Sequence, residues 1–416
     1  MSAHTKTRQV QRHLGALQCH FTWGLCTNPS LLLHRRDKLL DICPDESNPW
    51  RGQIYNLLGF LQTRLGHYDE ALSLFSSASE ALRGPELLVN YSDLAWLYDE
   101  RGEPAQSKEY LRRVEELKRD QLLPEVYAET GLDSDGILQK LRLCCRVEWR
   151  SAQVLALFYV KKKKGSEFLE QLRHTSERDP ENLPLRAGYL QQCARSGQEV
   201  GPEAKALAAK VLLCPDRMHR HMEPLLHLYR SAVSVHAAVD LATKALDKRP
   251  DSRFLKACLA MCHKWRIHQR EAMSQELIDC TVVLLHEVIS LYPDSCFRME
   301  IDLANAYAQS NHGLTDAKLL YSELLRRDLE PTSKQILYNN YAKFLHFELN
   351  DAHMSTQYHL RAAKIPVKSY CRSNSIEIYR RSRTGRERPG AARSGQRLPD
   401  REECPTEDAR GTSFIL

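Results

Sequence analysis

The stretch Tyr55-Asn56-Leu57-Leu58-Gly59-Phe60-Leu61-Gln62-Thr63-Arg64-Leu65-Gly66-His67-Tyr68-Asp69-Glu70-Ala71-Leu72-Ser73-Leu74-Phe75-Ser76-Ser77-Ala78 decides the fold. Tyr55, Leu58 and Gly59 lie at helical spacing, as do Ala71, Phe75 and Ala78, and Gly66 sits between the two sets. Apolar residues recurring every three to four positions point to amphipathic helices, and a glycine after the last of them is a helix stop. The stretch is therefore read as two antiparallel helices joined by a tight turn. Small residues let the two backbones approach, and large ones interlock around them. Such a hairpin cannot bury its apolar face alone, so it needs neighbours of its own kind. The next segment supplies one: Leu94, Ala95 and Tyr98, a turn at Gly102, then Leu111 and Val114, with Ser107 where alanine is commoner.

Six prolines carry the pattern onward. Pro180, Pro215, Pro250, Pro293, Pro331 and Pro366 are separated by 35, 35, 43, 38 and 35 residues, close to the roughly 34-residue period of tetratricopeptide repeats. Proline cannot continue a helix, and an Asp or Ser just after it can cap the next one. Each proline is read as the end of one helix pair and the start of another. Counting back from them places Leu225, Leu226, Tyr229, Ala238, Ala242 and Ala245 before Pro250, and Leu303, Ala304, Tyr307, Ala317 and Leu324 before Pro331. Tyr338, Tyr341, Ala342, Leu345 and Tyr358 precede Pro366, while Leu190 and Leu207 mark a weaker unit before Pro215. The longer interval ending at Pro293 is assigned to an enlarged link, His268 to Ile278. Seven or eight units result. Gln62 is a departure from the usual aromatic of the repeat.

Composition narrows the function class. With 416 residues, 42% hydrophobic and 27% charged, the chain can bury an extended core and does not read as an integral membrane protein. The longest apolar run, near Val154 to Val160, is too short to span a bilayer. Met1 to Gln18 is polar and basic, so secretion is not expected. Thirteen cysteines, an odd number without paired spacing, are expected to be reduced thiols in the cytosol. A net charge of +6 is modest for this length, so any nucleic-acid binding needs a local basic surface.

The expected organisation is an N-terminal helical segment 1–50, two repeats over 51–123, an irregular helical linker 124–180, further repeats over 181–370, and a disordered tail 371–416. The tail is rich in Arg, Gly and Pro, as in Arg380-Arg381-Ser382-Arg383-Thr384-Gly385-Arg386.

The stretch Leu17-Gln18-Cys19-His20-Phe21-Thr22-Trp23 resembles the N-terminal signature of the interferon-induced proteins with tetratricopeptide repeats. The likeness continues through Tyr55-Asn56-Leu57-Leu58, Leu94-Ala95-Trp96, Pro124-Glu125-Val126-Tyr127-Ala128-Glu129 and Asp179-Pro180-Glu181-Asn182, followed by Ala187-Gly188-Tyr189. It covers about residues 10 to 367 in a shortened form, with about one repeat missing between Arg195 and Met222. The fold implied is all-α, a right-handed superhelical solenoid of tetratricopeptide repeats ending in a disordered tail. The role implied is innate antiviral defence in the cytosol, without catalysis. RNA-binding members are implied to hold the 5′ end of foreign single-stranded RNA, triphosphorylated or incompletely methylated at the cap, in a basic tunnel.

Carried over by position, Lys38, Arg195 and Arg230 match basic residues of that tunnel, and Trp149 is the candidate for stacking on a base or cap. Arginine and lysine in a narrow channel favour a concentrated phosphate charge, and aromatic faces stack on bases. Other positions depart from the pattern. Ile42 replaces a Gln, Ala257-Cys258 replaces a His-Gln pair, and Glu129-Thr130-Gly131-Leu132 lacks the tryptophan of a Glu-x-Gly-Trp element.

Each candidate also has a plainer reading. Arg195 and Arg230 can be solvated or paired with acids such as Glu223, and Lys38 lies on a charged helix face with Arg35, Arg36 and Asp37. Trp149 fits a solenoid core, and the run Lys161 to Lys164 fits a loop tip. His219, His221 and His227 match no zinc spacing, and no phosphate loop or nucleophile elbow is present, so no metal, cofactor or enzymatic activity is expected. Two functions follow. The first is capture of RNA 5′ ends, which blocks their translation. The second is a protein-interaction scaffold for related repeat proteins or translation and signalling proteins, with the tunnel lost; neither involves a membrane, and self-association is left open.

Overall fold

Gly66 shows how the chain makes its hairpins. Its φ of +85° is in the left-handed region, where glycine carries no Cβ penalty. Its N–H reaches Thr63 O at 3.0 Å while the N–H of His67 reaches Gln62 O at 2.9 Å, the paired bonds of a Schellman stop. The same two bonds recur at Gly102, to Asp99 O and from Glu103 to Tyr98 O.

The structure is a computed structural model that describes residues 14–15, 17, 19–23, 25, 28–42, 51–118, 169–170, 173–174, 176–177, 183–213, 218–269 and 274–383. Every regular element among them is helical: α1 Pro29–Ile42, α2 Arg51–Arg64, α3 Tyr68–Ala81, α4 Leu87–Glu100, α5 Pro104–Lys118, α6 Leu183–Arg195, α7 Gly201–Leu213, α8 Met218–Ala232, α9 Val235–Lys248, α10 Arg253–Gln269, α11 Gln275–Leu291, α12 Phe297–Gln309, α13 Leu314–Arg326, α14 Pro331–Phe347, α15 Ala352–Lys364 and α16 Tyr370–Arg383. The five intervals between the six prolines each enclose one hairpin, from α6/α7 to α14/α15. No described helix is long and apolar enough to cross a membrane.

The described residues fall into two compact units, divided within α10 at Cys258–Leu259. In the first, α2 and α3 close tightly because Gly59 has no side chain: a Cβ there would lie 2.7 Å from the Phe75 ring. Ala71, Phe75 and Ala78 are buried below it. Asn90 ties this hairpin to α4, its Nδ2 donating to Asn56 Oδ1 at 2.8 Å and Phe75 O at 2.9 Å. The N-terminal signature packs on α4 as well. Leu17 and Cys19 are buried with Val89, Ala95 and Val114, Phe21 stacks on Trp96 at 5.5 Å, and His20 binds the buried Asp93.

In the second unit, Tyr321 fills the space between α12 and α13 and donates to Asn305 Oδ1 at 2.7 Å. Arg327 grips both carboxylate oxygens of Glu300 at 2.6 and 3.0 Å.

Two expectations change, and one proline outside the six behaves differently from them. Gln275 to Ile278, assigned to an enlarged link, are helical: Ser274 caps α11 by accepting from Leu277 N at 3.2 Å. Leu277 and Ile278 are buried, so the surplus residues lengthen α10 and α11 to 17 residues each. Pro224 lies inside α8 and ends nothing. The chain also stays helical beyond residue 371. In α16, Cys371 and Ser375, one turn apart, are buried and receive Asn339 Nδ2 at 3.2 Å (the Cys371 carbonyl) and 2.8 Å (the Ser375 hydroxyl). A basic composition hid that short inward stripe. Residues 384–416 lie outside the described residues.

Candidate nucleic-acid interface

Helix α1 begins at Pro29 with Asn28 as its cap, the Asn28 Oδ1 accepting from Leu31 N at 3.1 Å. Leu32 and Leu39, seven positions apart, are buried in one cluster with Leu58, Phe60 and Leu61. That seating fixes the helix's rotation. His34, Lys38 and Asp41 then form a second stripe at i, i+4 and i+7.

Helix α8 presents the matching stripe. Met218, Met222, Leu225, Leu226, Leu228 and Tyr229 are buried, which leaves Glu223, His227 and Arg230 on the more open side. Glu223 and Arg230 are two turns apart, about 10 Å along the axis.

The two stripes join through Lys38. Its Nζ lies 2.7 Å from Glu223 Oε2, with the side chains only 15% and 22% exposed. An incoming anion therefore has to displace the carboxylate. Burial works to raise the Glu223 pKa, but Lys38, His227 and His34 together hold it below the ordinary glutamate value. A second pair runs with opposite polarity. Arg253, the first residue of α10, donates from Nε to Asp41 Oδ1 at 2.6 Å and from Nη2 to Asp37 O at 3.4 Å. Arg36 in turn pairs with Asp37 at 2.8 Å. Lys38, Arg253 and Arg36 on this surface are thus each paired with a built-in acid.

Of the residues expected from the sequence, Lys38 and Arg230 fall on these two facing stripes. Arg195 is exposed in the last turn of α6 and takes no part in the Lys38–Glu223 pair. Trp149 and Lys161 to Lys164 lie outside the described residues.

Known proteins resemble this chain in sequence and fold. The family model for the tetratricopeptide repeat matches residues 50–120. The chain is 24% identical over 421 residues to the antiviral innate immune response effector IFIT1 of Macaca fascicularis, covering 90% of this chain and 88% of that protein. It is 22% identical to interferon-induced protein with tetratricopeptide repeats 2 of Homo sapiens, covering 89% and 86%. The chain is similar along most of its length to the interferon-induced proteins with tetratricopeptide repeats. Solved structures agree on the fold: human IFIT1 dimers with m7Gppp-AAAA and with PPP-AAAA superpose with TM-scores of 0.67 and 0.64 at 22% identity, covering 90% and 91% of this chain.

Within the α1/α8 surface, the residues hardest to anticipate are the acids. Glu223, His227 and Arg230 at i, i+4 and i+7 announce one helix face. That Glu223 meets Lys38, and Asp41 meets Arg253 across 212 positions, depends on tertiary packing that no local pattern encodes.

Proposed function

We propose that this chain is a cytosolic, non-catalytic antiviral effector that captures the 5′ end of foreign single-stranded RNA on the α1/α8 surface and withholds it from translation. The observation that carries the reading is the pairing of facing stripes containing Lys38 and Arg230, in a chain similar along nine-tenths of its length to IFIT1. IFIT1 structures with m7Gppp-AAAA and PPP-AAAA support the ligand class. A 5′ triphosphate concentrates charge that Lys38 and Arg230 can share, with Arg195 as an outer contact. The IFIT1 dimers leave self-association as part of the proposal.

The test is binding of one single-stranded RNA carrying a 5′ triphosphate or a 5′ hydroxyl, at two salt concentrations. The reading requires preference for the triphosphate, weakened by salt and abolished by Arg230→Glu. Equal weak binding of both ends overturns it.

A second reading has its own support. The Lys38–Glu223 and Arg253–Asp41 pairs neutralise the surface, and Ile42 and Ala257-Cys258 depart from the family pattern, both of which favour a scaffold that binds helices or peptides of other proteins. Retention of protein partners by an Arg230→Glu variant with no RNA preference supports it.

A further inference from the structure

We infer that Glu223 is a specificity-determining residue: its carboxylate occupies the phosphate position on Lys38, so that only a highly charged RNA end displaces it. The inference rests on the proposed capture of 5′ ends and assigns that site an internal competitor. Three observations carry it. The Glu223 Oε2 lies 2.7 Å from Lys38 Nζ, the separation a phosphate oxygen takes from an ammonium group. Both side chains are mostly buried, so a phosphate cannot simply add to the outer side of the pair. Glu223 also shares its helix face with Arg230, so a carboxylate freed from Lys38 remains beside any bound phosphate.

Binding is then an exchange. The Lys38–Glu223 pair breaks, Lys38 pairs with phosphate, and the freed carboxylate repels the newcomer. His227 and His34, which act electrostatically on Glu223, stay near the freed carboxylate. A monophosphate carries about −1.5 to −2 charges at neutral pH and gains little from this exchange. A triphosphate carries more charge and reaches further along the stripe, so that Arg230 can be engaged at the same time as Lys38. The carboxylate acts as a threshold that rejects weakly charged ends.

The experiment compares the full chain with Glu223→Gln, using one RNA sequence with a 5′ triphosphate, monophosphate or hydroxyl. Glu223→Gln is expected to tighten triphosphate binding by about tenfold, ~1.4 kcal/mol, and monophosphate binding by more, so that discrimination between the two narrows. Hydroxyl-ended RNA changes little. Unchanged or weaker phosphate binding in a folded Glu223→Gln protein overturns the inference while leaving end capture intact. Absence of any preference for phosphorylated ends in both proteins overturns end capture, and this inference with it.

A second set guards against misfolding of that variant. Lys38→Met alone leaves Glu223 facing the ligand and is expected to weaken triphosphate binding severely. The double variant Lys38→Met/Glu223→Met is expected to recover most of the loss. A double variant as weak as Lys38→Met alone shows that Glu223 does not compete.

Discussion

His20 holds both carboxylate oxygens of Asp93, its backbone N–H reaching Oδ1 at 3.0 Å and its Nδ1 lying 2.6 Å from Oδ2. Asp93 is fully buried. Burial pushes its carboxyl pKa up, and His20 opposes that. The signature Cys19 to Trp23 is thus a latch: it ties the N-terminal segment to α4, and Phe21 against Trp96 completes the seal.

Removing one side of this latch leaves a buried acid without its partner. His20→Ala is expected to destabilise the first unit by about 3–5 kcal/mol. Urea denaturation followed by Trp fluorescence reads this directly, and Asp93→Asn in the same background is expected to return part of the loss. A shift under about 1 kcal/mol would show that the latch is solvated when α4 is folded.

Ser107 makes the opposite case. It is fully buried in α5, and its hydroxyl finds no hydrogen-bond partner among the described residues. Ser107→Ala removes that unpaired group without leaving a large void, so a stabilisation of about 1 kcal/mol is expected. Thermal unfolding should show a raised Tm; a lowered one would show that the hydroxyl is satisfied in solution.

The Gly59–Phe75 contact predicts a steric cost. Gly59→Ala places a methyl group 2.7 Å from the ring, and overpacking of this kind costs about 1–3 kcal/mol. The double variant Gly59→Ala/Phe75→Leu is expected to recover part of the stability, which a double-mutant cycle in urea measures.

His359 gives the second unit a pH dependence. Burial lowers its pKa from 6.5 to about 4, with Lys343 and His346 adding to the effect. Its Nδ1 lies 3.1 Å from Ser375 Oγ in α16. Because the folded state resists the proton that the unfolded chain accepts, stability is full above pH 6.5 and falls as the pH drops towards 4. The full loss is about 3 kcal/mol at ~1.4 kcal/mol per pKa unit. Denaturation of the wild type at pH 7 and pH 4.5 should show most of that difference, and His359→Gln should flatten it. Equal slopes for the two proteins would assign the acid sensitivity to other groups.

The hairpins were legible in the sequence because their signals are local. Gly66 and Gly102 stop helices by backbone conformation, Pro250, Pro293, Pro331 and Pro366 stand at helix boundaries, and Phe75 over Gly59 follows from spacing alone. Where the signal was compositional it misled. The arginines of α16 mask Cys371 and Ser375, and the long interval before Pro293 reads as an enlarged link although Leu277 and Ile278 continue an apolar stripe. The charge state of the candidate site was the least legible part. Lys38 announces a cation, but its partner lies on α8, and Asp93 is 73 positions from His20. Trp149 lies in a segment outside the described residues.

The bond between Asp41 and Arg253 bears on how the protein is made. Stacked repeats ordinarily touch only their neighbours and can zip up as they leave the ribosome. Here the first helix waits for a residue 212 positions later, roughly 10–40 s of synthesis at about 5–20 residues per second. Throughout that interval Asp41 lacks its final counterion, as Lys38 does until Glu223 is made, so the nascent chain carries an unfinished charged ridge that chaperones or early RNA contacts can meet before the mature surface exists.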